Sequence, residues 1–114
     1  MQLLNHFFDC SLEKMIVKIF QKTRYGNLKV FFPSGKIENF KGNNLGIKAN
    51  IKINNFLMIS KVLKKGAVGF AESYMDGDFS TSNLKNLLIF AEKNKKNYIG
   101  HKQGKFFYKF LSKI

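Results

Sequence analysis

Leu12, Met15, Ile16, Ile19 and Phe20 recur at intervals of three and four, with Lys14, Lys18 and Lys22 on the opposite side. That spacing predicts an amphipathic helix over residues 12–24, capped by Asp9 or Ser11 and closed by Gly26. The period then falls to two. Leu28, Val30 and Phe32 share one face of a strand over residues 27–32, and Pro33-Ser34-Gly35-Lys36 turns the chain back into Ile37–Lys41. Leu45, Ile47, Ala49, Ile51 and Ile53 alternate with Gly46, Lys48, Asn50 and Lys52, the pattern of a half-buried strand with a wet, basic face.

Helical spacing resumes after Asn54 or Asn55, either of which can cap a helix running to about Lys65, where Gly66 ends it. Residues 67–75 predict a second short helix, weakened by Gly69, and Asp76-Gly77-Asp78 a turn. Leu84, Leu87, Leu88 and Ala91 mark another helix, capped from Ser80-Thr81-Ser82 and stopping in the polar run Lys93–Asn97, the expected hinge. The order is helix, three-stranded antiparallel meander, helices. It predicts an α+β fold with helices packed on one face of a small sheet. Residues 1–97 form the expected domain, followed by a segment over 98–114. Read as a helix, residues 102–114 set Phe106, Phe107, Phe110, Leu111 and Ile114 against Lys102, Lys105, Lys109 and Lys113. Cations opposite Phe and Leu suit a helix lying in a membrane interface or packed on a partner protein.

Composition changes this picture in one respect. With 114 residues, 45% of them hydrophobic and 13 of them Phe, the chain can build one core. Its apolar runs are far shorter than the roughly 20 residues that span a bilayer. Asn5, His6 and Asp9 interrupt the apolar start before a secretory signal forms, and the single Cys10 has no internal disulfide partner. A cytoplasmic protein is expected. The charge is the distinctive feature: 20 basic against 7 acidic residues, net +13, with Arg24 the only arginine. Such a field attracts polyanions. Lysines, as point charges, suit diffuse attraction to an anionic phospholipid surface better than base-specific contact with nucleic acid, and no motif of aromatics on neighbouring exposed positions supports a nucleic-acid platform on the Lys48 and Lys52 face.

Catalytic constellations are sparse. His6 and His101 stand at opposite ends of the chain without a cysteine or carboxylate at ligand spacing, and Cys10 reads as a small buried hydrophobe rather than a nucleophile. No glycine-rich phosphate loop follows a strand, so no nucleotide or other cofactor is expected. Glu72, Asp76 and Asp78 are three of the seven acids. On a helix Glu72 and Asp76 are i, i+4 neighbours, a candidate cation site or proton handler. Asp-Gly-Asp is also ordinary turn chemistry, and the cluster can pair with lysines of another element.

Residues 66–79, Gly-Ala-Val-Gly-Phe-Ala-Glu-Ser-Tyr-Met-Asp-Gly-Asp-Phe, resemble the G-x-x-G-F-A-E-[AS]-Y-M-x-G-[DE]-[WF] signature of the N-terminal domain of cyclopropane-fatty-acyl-phospholipid synthases. Gly26–Gly35 is similar to that family's G-x-L-x-V-x-x-P-x-G hairpin, and Leu45–Ile53 to its third strand. Residues 82–88 are similar to its S-x-D-L-x-x-L-L helix, with Asn83 at the position of the Asp. The resemblance covers about residues 12–97 and implies a sterol-carrier-like α+β domain. In the family this domain precedes a larger methyltransferase domain that holds S-adenosylmethionine and transfers a methylene to lipid double bonds. No counterpart of that domain is expected within these 114 residues, so the resemblance implies no catalytic residue among them. It implies a non-catalytic role: meeting phospholipid and docking a methyltransferase encoded separately, or serving as the N-terminal fragment of a split or truncated enzyme. Gly66, Phe70, Glu72, Tyr74, Met75, Gly77 and Asp78 are the motif positions implied in partner contact. A second copy of the chain is a further candidate partner.

Overall fold

A computed structural model describes residues 2–98, with side chains from residue 11 onward. Its elements are α1 (Gln2–Phe20), β1 (Tyr25–Phe31), β2 (Ile37–Lys41), β3 (Asn44–Ile53), α2 (Leu57–Lys65), α3 (Ala67–Met75), β4 (Phe79–Ser80) and α4 (Leu84–Tyr98). The fold is α+β, and the sheet order is β2-β1-β3-β4. The expected helix 102–114, His101, and the side chains of His6 and Cys10 lie outside the described residues. No described helix is long and apolar enough to cross a membrane.

Alternation along the strands places the core. Leu28, Val30 and Phe32, Phe40, Ala49, Ile51 and Ile53, and Phe79 are buried on one side of the sheet. Ile16 of α1, Met58 of α2, and Leu87 and Phe90 of α4 close over them. Burying each large apolar side chain contributes about 1.5–3 kcal/mol, so this single cluster is the main source of stability.

The expected antiparallel meander is corrected. β1 and β2 are antiparallel, but β3 runs parallel to β1 on its other side, and β4 pairs antiparallel with β3. The sheet is mixed. After β2 the chain crosses the start of β1: the Gly42 amide donates to the Gly26 carbonyl at 2.9 Å, and the Asn44 amide to the Arg24 carbonyl at 2.9 Å. Glycine makes the crossing sterically feasible. A Cβ on Gly42 would stand 2.2 Å from the Arg24 carbonyl carbon, and one on Gly26, at φ 78°, 2.2 Å from the Ile47 oxygen.

Element ends also differ from expectation. The first helix runs through Asp9 and Ser11 rather than starting at them, and Thr23 Oγ1 donates to the Phe20 carbonyl at its end, while Gly26 belongs to β1. Leu45 is fully exposed, because the pairing shifts there from Tyr25 opposite Asn44 to Asn27 opposite Lys48, and the simple alternation breaks. Asn55 Oδ1 accepts from the Leu57 amide at 2.9 Å, but the N-cap position of α2 is Phe56, which makes no side-chain cap, so neither Asn54 nor Asn55 is the cap expected. The cap of α4 is Asn83, whose Oδ1 accepts from the Asn86 amide at 3.0 Å. Thr81 and Ser82 instead bind Asn50 of β3. Lys93–Asn97 is helical, not a hinge, because Asn94 within it is fully buried and bonded.

Candidate functional site

The residues that make the core leave part of it unfilled. An apolar cleft of about 190 Å³ opens within the helical layer. Leu28 and Ile51 of the sheet floor it, while Ile16, Ile19 and Phe20 of α1 form one wall. Met58, Ile59 and Val62 of α2, with Phe70 of α3, form another, and Leu87, Phe90 and Ala91 of α4 complete it. The side chains carrying a polar atom are Lys95 and Tyr98, both toward the end of α4. Tyr98 is held by the Thr23 hydroxyl at 2.5 Å and by the Phe20 ring, 5.3 Å between centroids. Burial pushes its phenol up to about 12. Lys95 pairs with Glu92 at 2.9 Å on the exposed side of α4.

Asn94 fixes α4 over the sheet. Its Oδ1 accepts from the Arg24 and Tyr25 amides at 3.0 and 3.1 Å, and its Nδ2 donates to the Tyr25 and Phe90 carbonyls. Every hydrogen-bonding position of this buried amide that the backbone can meet is met. Neither Asn94 nor the cleft emerged from the sequence reading. A signal for Asn94 was present: it stands four residues after Phe90 and seven after Leu87, a polar residue inside the apolar stripe.

The acidic cluster is assembled as a clamp. Lys61 Nζ of α2 lies 2.8 Å from Asp76 Oδ2 and 2.6 Å from Asp78 Oδ2, and Lys65 Nζ lies 3.2 Å from Glu72. Pairing with lysines of another element, one of the readings above, is the arrangement found. Hydrogen bonds to Asp76 and then Asp78 hold the Lys61 ammonium above the ordinary lysine range. Burial raises the Asp78 carboxyl, but donation from Lys61 and Asn55, with a smaller contribution from nearby Ser73, outweighs it and holds the group below the usual carboxylate range. Asn54 and Asn55 donate backbone amides to the Asp78 carbonyl, tying the turn to the end of β3. Among the residues whose side chains are described, no group of three His, Cys, Asp or Glu stands where it could hold a metal ion.

The remaining motif positions divide. Gly66 (φ 58°) and Gly77 (φ 76°) supply left-handed turns at the two ends of α3. Gly69, buried, lets α3 press on α2, since a Cβ there would meet the Lys61 carbonyl oxygen at 1.9 Å. Phe70 packs on Phe79 at 4.7 Å and lines the cleft. Tyr74 also packs on Phe79, 5.7 Å between centroids, and is partly exposed, while Met75 is three-quarters exposed. Thus Gly66, Glu72, Gly77 and Asp78 hold the helix pair together, Phe70 faces the cleft, and Tyr74 and Met75 face outward.

The chain belongs to the family described as domain of unknown function DUF7884, whose match spans residues 15–103. No curated protein and no solved structure matches the chain.

Proposed function

We propose that this chain is a non-catalytic, lipid-handling accessory domain of phospholipid cyclopropane modification, working at the cytoplasmic face of a membrane beside a separately encoded S-adenosylmethionine-dependent methyltransferase. The observation that carries the lipid half is the cleft: about 190 Å³, walled by Ile, Leu, Phe, Met, Val and Ala, with one lysine toward one end. An apolar cavity of about 150 Å³ stays dry and admits a molecule as large as benzene. A stretch of acyl chain meets the same requirements. The methyltransferase half is supported by the resemblance of residues 66–79 and by the outward position of Tyr74 and Met75 within that motif.

Titration with the fluorescent fatty acid cis-parinarate tests the cleft. Fluorescence enhancement that saturates in the low micromolar range or tighter, and is lost in Ala91→Trp, supports the reading. Ala91 lines the cleft yet is only half-buried, so the indole can fill the space without entering the packed core. Equal binding by a folded Ala91→Trp protein contradicts it.

A further inference from the structure

The side of the sheet away from the helices has its own chemistry. Its outward positions are 27, 29 and 31 on β1, 37, 39 and 41 on β2, and 48, 50 and 52 on β3. In register, Asn27 lies between Lys41 and Lys48, Lys29 between Asn39 and Asn50, and Phe31 between Ile37 and Lys52. Lys29, Lys41, Lys48 and Lys52 are all exposed. With strands about 4.8 Å apart and residues about 3.3 Å apart along them, the four lysines are rooted in a patch of roughly 10 by 13 Å. Among the described residues no carboxylate of these strands shares this face: Glu38 alternates with Asn39 and lies on the side of the buried Phe40. Among the described residues none of the four lysines pairs with an acid.

We infer that this open face is the surface by which the protein docks on an anionic phospholipid bilayer. The inference rests on the lipid reading above only for the choice of polyanion; the charge asymmetry stands without it. A sheet face carrying four exposed ammonium groups complements a plane of phosphates. Each lysine near such a surface contributes about 1 kcal/mol. At one corner the exposed Ile37 stands opposite Phe31, an apolar pair suited to the headgroup boundary. The same face fits nucleic acid poorly. It has no arginine, and its one aromatic, Phe31, is half-buried beneath the Lys29 ammonium at 5.3 Å, whereas single-strand platforms use successive exposed aromatics. The cleft lies on the other side of the sheet. A lipid held there is one lifted from the bilayer and presented to a partner.

Co-sedimentation of the full chain with phosphatidylglycerol–phosphatidylcholine vesicles tests this. The combined Lys29/Lys41/Lys48/Lys52→Gln variant is compared with a charge-matched control, Lys14/Lys18/Lys64/Lys96→Gln, on exposed helical positions. Vesicle affinity falls by about a hundredfold or more in the first and far less in the second. Ile37→Ser loses binding a few-fold, with folding unchanged. Cis-parinarate binding survives the sheet variant, and Ala91→Trp keeps vesicle binding, so failure of either reading is visible separately. Equal losses in both lysine variants mean attraction by net charge alone and overturn the proposal. So does a single-stranded oligonucleotide that binds this face more tightly than the vesicles.

Discussion

On β3, Ala49, Ile51 and Ile53 point into the helical layer, while Lys48 and Lys52, one residue out of step, point away from it. The same division runs through β1, where Val30 is fully buried and Lys29 exposed. The two sides of one sheet are therefore a carbon-lined floor beneath a cleft and a lysine surface without a carboxylate among the described residues. Because side chains alternate with period two, a slip of one residue would exchange these chemistries completely. Register is thus as important to function here as any single side chain. Two features pin it: the glycine crossing at Gly26 and Gly42, and Asn94 reaching from α4 to the first residues of β1.

The most damaging way to break the division is at the crossing. Gly26→Val combines a left-handed backbone with a Cβ clash and is expected to cost about 4 kcal/mol, read as a large drop in thermal midpoint. Asn94→Leu keeps the branched shape but strands the Arg24 and Tyr25 amides and the Tyr25 carbonyl, at an expected cost of about 3 kcal/mol in urea unfolding. Substitution of a sheet-face lysine costs almost no stability, so stability and vesicle affinity separate by face.

The remaining tests sharpen the account through pH. Asp78 has a folded pKa below its unfolded value of about 3.9, so its contribution is complete above about pH 4 and disappears as pH falls through the folded value. Lys61→Met removes the main donor and leaves only Asn55 and nearby Ser73 to oppose burial, so the carboxyl rises. The acid limb of the stability profile then moves upward in pH, measured by urea midpoints. Tyr98 runs the other way. Its folded pKa of about 12 lies above the ordinary 10, so the neutral phenol's contribution is complete below about pH 10 and is lost toward pH 12. Tyr98→Phe flattens this alkaline loss, the smallest of these effects.

Much of this organisation is legible in local pattern. Period-two runs mark β1 and β3, the Pro33–Lys36 turn leads into β2, and Gly66 ends α2, because these depend on residues close in sequence. The partner of β3 does not. Antiparallel and parallel neighbours present the same alternation, and the choice was decided by glycines whose backbones meet only in three dimensions. β4 is two residues long, below any periodic signal. The hinge expected at Lys93–Asn97 failed for a related reason: polarity alone cannot distinguish a solvated run from a helix whose one amide, Asn94, is satisfied by a distant strand. The acidic cluster was visible as a cluster, but its partners, Lys61 and Lys65, were set by the α2–α3 turn. The cleft is a property of how four helices and two strands meet, and no single segment encodes it.

The most direct measurement of the central claim is native mass spectrometry of protein incubated with phosphatidylglycerol vesicles and then freed of them. The account expects one phospholipid retained per chain, absent from Ala91→Trp and still present in the Lys29/Lys41/Lys48/Lys52→Gln variant when lipid is supplied as monomers. Protein that emerges bare under every condition, or that keeps its lipid with the cleft filled, contradicts it.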